Sequence, residues 1–267
     1  MTLLLLLACS DKDPGDTQDS GPVTNPSDTF CQAEELIGEV LVQRWGTEGQ
    51  LSLTARVYDA PNPWIGAPTE RSSDCAYYRY DAAACGECGA EQVCGVDGSC
   101  ADSPRTDKEA SLTITSEAGS QTFDADDIGL MWGEVQGQTM SFDLQWSGGH
   151  IQTAELSLLD GLVAQVSAEG DYDAPGALSI TWSGSEEGHV GTVIPINHHA
   201  GAPTFTSCQA PASQGSIDVP AAMVDPLSVI TGLEFQGVFH GSYAAARTDA
   251  GCIQFAVRTQ HYTDVGF

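Results

Sequence analysis

The sequence predicts an all-β protein, a disulfide-stabilised β-sandwich of one or two units with a Cys-rich loop insertion. Apolar and polar residues alternate with a period of two after residue 30, as half-buried strands require. These runs recur about every 8–12 residues with Gly, Pro and Asp between them, which is typical of a sandwich. Eight of the nine cysteines also follow residue 30, and an even number of cysteines indicates a disulfide framework.

The alternation defines the individual strands. In the range 139–147, Met140, Phe142, Leu144 and Trp146 share one face and polar residues share the other. Similar runs predict further strands at 51–58, 111–115, 178–182, 193–196, 233–239 and 252–259. Because Trp146 lies on the apolar phase of its strand, we expect its side chain in the core.

A β-hairpin is predicted between residues 153 and 167. The dipeptide Asp160-Gly161 separates two apolar runs, and both residues of such a turn need the positive φ that Asp and Gly tolerate. We therefore expect 153–159 and 162–167 to pair with each other.

Residues 1–8 are predicted to be a signal peptide. The stretch ends in LLAC, which matches a bacterial lipobox and makes Cys9 the lipidated first residue of the mature chain. The apolar run before Cys9 is far shorter than the roughly 20 residues that a membrane-spanning helix needs. No Lys or Arg precedes this run, so we expect the true start codon to lie upstream.

The range 9–29 is predicted to be the lipidated Cys followed by a disordered acidic linker. Its residues are mainly Asp, Pro, Gly, Ser and Thr, and they bury too little to offset their ordering entropy. Fully extended, about 20 such residues reach roughly 65–70 Å. The segment therefore suits a spacer between a membrane and a folded body.

Charge excludes one class of partner. The chain has a formal net charge of −28 with nine basic residues, of which two are lysines. Because phosphate contacts depend on Lys and Arg, we expect no nucleic-acid partner. Contact with a membrane is expected through lipid, since an acidic surface is repelled by anionic headgroups.

The cysteines other than Cys9 predict four disulfides, as an oxidising compartment favours. They are Cys31, Cys75, Cys85, Cys88, Cys94, Cys100, Cys208 and Cys252. Sequence alone does not determine connectivity; the expected pairs are Cys85–Cys94, Cys88–Cys100, Cys31–Cys75 and Cys208–Cys252. The alternative for the motif Cys85-x-x-Cys88 is a redox pair or half of a zinc site.

The body is predicted to divide into an N-terminal β unit, 30–125, and a C-terminal β-sandwich, 126–267. The Cys-rich stretch 75–100 interrupts the alternation and has too few apolar residues for a core of its own. We expect it to be an insertion stapled by disulfides and protruding from the sandwich.

Candidate binding residues are few. Asp124, Asp126 and Asp127 form a cluster of carboxylates, the type of ligand that calcium prefers. Calcium is therefore the one cofactor that the sequence leaves open. Trp64 lies on a Pro-rich loop and is the best candidate for a contact residue. No catalytic residue is predicted, because no Gly-x-Ser-x-Gly motif occurs and abundant acids make a carboxylate pair uninformative.

The chain resembles uncharacterised lipoproteins of Gram-negative bacteria, which follow a lipobox and an acidic linker with a secreted β-sandwich. The resemblance is carried by the Trp-bearing run 178–184 and by the run 208–221, in which Cys208 is followed by Gly215 and Pro220. It implies a lipid-anchored envelope protein. In such families Asp after the lipidated Cys favours inner-membrane retention; here Ser10 follows, so we expect the outer membrane.

The expected function is non-catalytic, either binding or structural, with a protein or glycan partner that the sequence does not specify. Two alternatives remain open at this point. One is a secreted hydrolase that depends on carboxylates, which predicts acids converging in a deep cleft. The other is a calcium-dependent carbohydrate-binding or adhesion module, which predicts carboxylates around a cavity.

Overall fold

The structure is a computed structural model, and it confirms the all-β, disulfide-stabilised class. It describes residues 29–46, 51–80, 85–124, 130–132, 136–171, 173–196, 203–228, 235–263 and 265–266. The predicted lipobox, the predicted linker up to residue 28, Asp126 and Asp127 lie outside the described residues.

Within the described residues the chain forms strands β1–β20 and one α-helix, α1. In chain order the strands are Leu36–Trp45, Leu51–Val57, Glu70–Arg71, Cys75–Tyr78, Gln92–Cys94, Cys100–Asp102, Ser111–Ser116, Gly119–Asp124, Leu130–Trp132, Thr139–Trp146, Gly149–Gln152, Leu156–Ser157, Val163–Ala168, Leu178–Ser183, His189–Pro195, Phe205–Pro211, Ser216–Val219, Val238–Arg247, Cys252–His261 and Val265–Gly266. Helix α1 spans Ala221–Ser228.

A nine-stranded sheet forms one layer, in the order β3-β4-β16-β15-β18-β19-β1-β2-β9. Strand β1 pairs in parallel with β19, so that Val40 lies opposite Phe255, and antiparallel with β2. The predicted boundary between residues 125 and 126 therefore does not separate two sheets. Strands from both ranges alternate across this layer because pairing follows the apolar faces rather than chain order.

Two smaller sheets cover one face of the nine-stranded sheet. The first has the order β11-β10-β7-β8, with β12 paired to β10, and the second has the order β17-β14-β13-β20. The first buries Leu112, Phe142 and Leu144 against Val40 and Phe255. The second, with α1, packs its apolar residues against the other half of the layer. The alternation predicted for 139–147 is confirmed, since Met140, Phe142 and Leu144 are buried; Trp146, expected in the core, is half-buried and packs against its edge.

The hairpin predicted around Asp160-Gly161 is wrong. Strand β12 pairs with β10 and β13 pairs with β14, so the dipeptide joins the two smaller sheets. The Asp160 carboxylate forms an ion pair with Arg44 on the nine-stranded sheet. Gly161 adopts a φ of 84°, and a Cβ on the facing Gly184 would lie 2.1 Å from the Gly161 carbonyl oxygen. Asp160 and Gly161 therefore lie where the chain passes close to Gly184, and they do not form a two-residue turn.

The four disulfides agree with the expected pairs inside the insertion and differ outside it. Cys85–Cys94 and Cys88–Cys100 form as expected. The expected pairs Cys31–Cys75 and Cys208–Cys252 are wrong, since the structure joins Cys31 to Cys252 and Cys75 to Cys208. Cys75 and Cys208 are register partners on β4 and β16, and Cys252 begins the strand beside β1. Sheet order, which the sequence does not display, decides both pairs.

A buried polar cluster lies where β1, β18 and β19 meet. Arg44 donates to the Thr259 hydroxyl at 3.0 Å, and the ring of His240 lies 6.4 Å from that of His261. His240 Nε2 is 3.0 Å from the Glu187 carbonyl oxygen. Within the described structure, His240 Nδ1 and His261 Nε2 have no hydrogen-bond partner. Burial lowers the pKa of both rings below the ordinary value of 6.5, although Asp160 opposes the shift.

These histidines predict a loss of stability in acid. Above pH 6.5 both the folded and the unfolded chain hold them neutral. Below 6.5 the unfolded chain binds protons that the folded chain, with its lowered histidine pKa, does not bind, so the free energy of unfolding falls. We expect urea denaturation to show it decreasing steadily from pH 7 to pH 5.

The variant His240→Gln, which keeps a donor for the Glu187 carbonyl, should flatten this profile because one buried titrating group is removed. An equal slope for the variant and the natural chain between pH 7 and pH 5 would contradict this account of the cluster.

Candidate functional site

The candidate site lies on the outward face of the nine-stranded sheet, where one of two concave surfaces is lined by Trp64, the predicted contact residue. The inward phase of β2, Leu53 and Ala55, belongs to the core, so Thr54 and Arg56 point to the opposite side. Two adjoining grooves cross this outward face. We call them the aromatic groove and the insertion groove.

The aromatic groove has a volume of about 640 Å³ and lies over β18, β15 and β16. Phe30 contacts His189 edge-on at 5.0 Å and Tyr243 at 4.9 Å between ring centroids. Tyr78 and Phe205 stack at 4.8 Å on the far side. The Phe30 segment forms a wall because the adjacent cysteine is bonded to the first residue of β19.

Several polar groups that line the aromatic groove are bonded to neighbouring side chains. Arg258 donates to the Gln43 side-chain oxygen at 2.8 Å, and its guanidinium lies 3.8 Å from the centroid of the Phe239 ring. Burial raises the pKa of the Tyr243 phenol, and Arg258 opposes the shift. Burial and the carboxylate of Glu34 raise the pKa of Tyr78 to about 12. Both phenols are therefore neutral near pH 7, and the Tyr78 hydroxyl donates to the Glu34 carboxylate at 3.0 Å.

The insertion groove has a volume of about 510 Å³, within the range of small-ligand sites. Its floor is the outward face of β1 and β2, with Glu39, Thr54 and Arg56. One wall is the loop that carries Trp64, and the other is the Cys-rich insertion with Val93 and its flank Pro104. The three parts come from separate stretches of the chain.

The Trp64 loop is pinned at both ends by backbone bonds. At its start the Tyr58 amide donates to the Ile37 carbonyl at 2.7 Å, and at its end the Thr69 amide donates to the Tyr77 carbonyl at 2.8 Å. At the apex, the Trp64 amide donates to the Asn62 side-chain oxygen at 3.0 Å. The indole is nevertheless 41% exposed. The loop therefore holds a large aromatic side chain in a defined place facing solvent.

The Cys-rich insertion supports this loop directly. The Val96 amide donates to the Pro63 carbonyl at 3.0 Å, and the Val96 side chain packs close to Gly66, where a Cβ would lie 2.7 Å away. The insertion itself is a short hairpin, β5 with β6, closed by Cys85–Cys94 and Cys88–Cys100. Its covalent staples replace the apolar core that it lacks.

Opposite charges lie together on the groove floor. Glu39 and Arg56 are register partners on β1 and β2. Arg56 is exposed, and among the described residues no carboxylate lies within ion-pair distance of its guanidinium. Basic residues are scarce in this chain, which has nine of them and a net charge of −28. One of them, Arg56, lies on a groove floor without an ion-pair partner among the described residues.

The candidate residues predicted from the sequence lie in different parts of the structure. Trp64 lies in the insertion groove. Asp124 ends β8, on a different sheet from the grooves, while Asp126 and Asp127 lie outside the described residues. Sequence reasoning missed Arg56, Glu39 and Tyr58, whose shared position depends on the pairing of β1 with β2.

The three sulfurs of Cys85, Cys88 and Cys100 lie within 4.8 Å of one another. Each of them is already in a disulfide, so none is a thiolate available to a metal. The zinc and redox alternatives for Cys85-x-x-Cys88 therefore have no support in this geometry. Trp182, by contrast, is a core residue whose indole nitrogen donates to the Ala212 carbonyl at 2.6 Å.

Comparison with known proteins does not assign this chain to a family. No protein-family model matches the sequence, and no curated protein matches it. Among solved structures, a 1.5-MDa bacterial ice-binding adhesin matches with a TM-score of 0.17 and 9% identity, over 85% of this chain and 65% of that one. A tetra-tandem repeat from the extending region of a large adhesion protein gives 0.17 and 14%, over 84% and 49%.

The FN1-FN3 domains of chicken CNTN1 match with a TM-score of 0.17 and 11% identity, over 85% of this chain and 69% of that one. The chain thus spans less than two thirds of each of the two adhesion structures. A TM-score of 0.17 does not establish a common topology, so the functions of these proteins do not transfer to this chain. In the described part of the chain, no helix has the length and apolar character needed to cross a membrane.

The support of the Trp64 loop by the insertion predicts a local effect of removing one staple. In Cys85→Ala/Cys94→Ala, the amides of Ile65 and Val96 should exchange with deuterium at least about tenfold faster. The disulfide holds the segment that carries Val96, and the bond from Val96 to the Pro63 carbonyl in turn supports the Trp64 loop, within which the Ile65 amide donates to the Asn62 carbonyl.

The internal reference for this measurement is the amide of Leu112 in the five-stranded sheet, whose exchange should not change. Unchanged exchange at both Ile65 and Val96 would contradict the supporting role of the insertion.

Proposed function

We propose that the protein is a non-catalytic binding protein of the cell envelope, tethered to the outer membrane by lipid on Cys9, which presents the grooved face to a partner. The observation that carries the proposal is the insertion groove. A disulfide-stapled insertion, a pinned loop and the central sheet hold Trp64 beside Arg56. Such a rigid, partly apolar concavity with a few polar groups is the usual form of a binding site.

The distribution of carboxylates supports binding over hydrolysis. Among the lining residues described, the insertion groove contains one carboxylate, Glu39, and the aromatic groove adds Asp74. Asp74 accepts a hydrogen bond from the Gln214 amide at 2.9 Å. A hydrolase of the carboxylate type needs two acids facing one substrate bond, whereas four strands of the sheet separate β4, which follows Asp74, from β1, which carries Glu39.

The disulfides support an exported protein and a distinct role for Cys9. All eight cysteines after residue 30 are paired, which favours an oxidising compartment. Nine cysteines minus eight leaves Cys9, the residue at the end of the lipobox. A lipid on Cys9 and the acidic linker after it would hold the folded body away from the membrane surface.

Metabolic labelling tests the tether. Cells that produce the natural chain and are grown with a clickable palmitate analogue should incorporate label into the protein, because Cys9 is the acylated residue. The variant Cys9→Ser should carry none and should leave the membrane fraction. Equal labelling of the variant, or no label on the natural chain, would refute the lipid anchor.

A further inference from the structure

We propose that the insertion groove binds a short neutral oligosaccharide directly, with Trp64 as the stacking platform. The inference rests on the proposed binding function and names the chemical class of the partner. It starts from the indole, which is 41% exposed in a groove although its loop is firmly held. An exposed aromatic face beside a polar floor matches the two surfaces of a sugar ring, an apolar C–H face and a rim of hydroxyls.

The floor of the groove requires a polar ligand. Arg56 supplies donors, Glu39 supplies acceptors, and Thr54 on the floor and Asn62 on the Trp64 loop offer both. Covering these groups with an apolar ligand would leave them desolvated without partners, which is costly. Sugar hydroxyls donate and accept, so a single ligand class satisfies both Glu39 and Arg56.

Charge favours a neutral ligand. The opposed charges of Glu39 and Arg56 nearly cancel on the floor, while the whole chain carries −28. A polyanionic glycan would approach against this field. A neutral oligosaccharide meets no such barrier and uses both members of the cross-strand pair.

The rigid construction of the site favours a ligand that binds through few contacts. Sugars in water exchange one set of hydrogen bonds for another, so their affinity depends on groups that are already in place. The Val96–Pro63 bond and the stapled hairpin hold the Trp64 wall before a ligand arrives. This gives the Cys-rich insertion a role in recognition beyond its own stability.

Isothermal titration calorimetry tests the proposal on the full chain carrying Cys9→Ser, produced in an oxidising compartment. The probes are cellotetraose, maltotetraose, mannotetraose and chitotetraose, with tetragalacturonic acid as the anionic comparison. At least one neutral probe should bind, in EDTA as well as in calcium, and the acidic probe should bind more weakly than that neutral probe. Trp64→Ala should weaken binding at least about tenfold, or about 1.4 kcal/mol.

Tyr262→Ala is the matched control. Tyr262 is 69% exposed and lies outside the insertion groove, so removing this ring should leave the affinity unchanged, and both variants should keep the far-ultraviolet spectrum of a folded β protein. Failure of all neutral probes, preference for the acidic probe, loss of binding in EDTA, or equal affinity of Trp64→Ala would overturn the proposal.

Because these titrations use a chain that cannot be acylated at Cys9, their outcome is independent of the tether. If no glycan binds but palmitate labels the natural chain, the sugar-binding proposal is wrong and the proposed lipid-anchored envelope protein stands. If a neutral glycan binds but no palmitate is incorporated, the sugar-binding proposal stands and the lipid tether on Cys9 is wrong.

Discussion

The parallel pairing of β1 with β19 is the constraint on which the rest of the structure depends. It places the first strand of the folded body between the last hairpin and β2, so two distant parts of the chain share one sheet and one core. Closing so long a loop costs entropy that grows only slowly with its length. The Cys31–Cys252 disulfide, which joins the segment before β1 to the first residue of β19, reduces that cost by restricting the unfolded chain.

The functional face follows from this pairing. Because β1 is an interior strand between β19 and β2, its outward side chains lie between the two grooves, and Glu39 lines both of them. The same pairing brings the Phe30 segment across β18, where it forms the wall of the aromatic groove. Exposure of Arg56 and Trp64 is then a consequence of where the insertion packs rather than of either residue alone.

The fold class was predictable because strand alternation is local. Met140, Phe142 and Leu144 follow the period of two and are buried as a set, and the two short-range disulfides of the insertion connect neighbours in sequence. Long-range order was not predictable. Cys75 lies next to Cys208 only because β4 pairs with β16. Asp160-Gly161, which predicted a hairpin, instead connects two different sheets.

The candidate site was predictable in part for the same reason. Trp64 could be singled out from its Pro-rich loop, since exposure on a loop is a local property. Arg56 and Glu39 looked like ordinary polar positions of two separate strands, and their juxtaposition needs the register of β1 against β2. The role of the insertion also depends on a contact, Val96 with Pro63, that no spacing in the chain indicates.

The most direct test of the central pairing is peptide mapping of the unreduced protein. After digestion with chymotrypsin and Glu-specific protease, mass spectrometry should find the peptide containing Cys31 linked to the peptide containing Cys252, as the β1–β19 pairing requires. Recovery of Cys31 linked to Cys75 would contradict the account, because it would detach the N-terminal segment from β19 and remove the wall it gives to the aromatic groove.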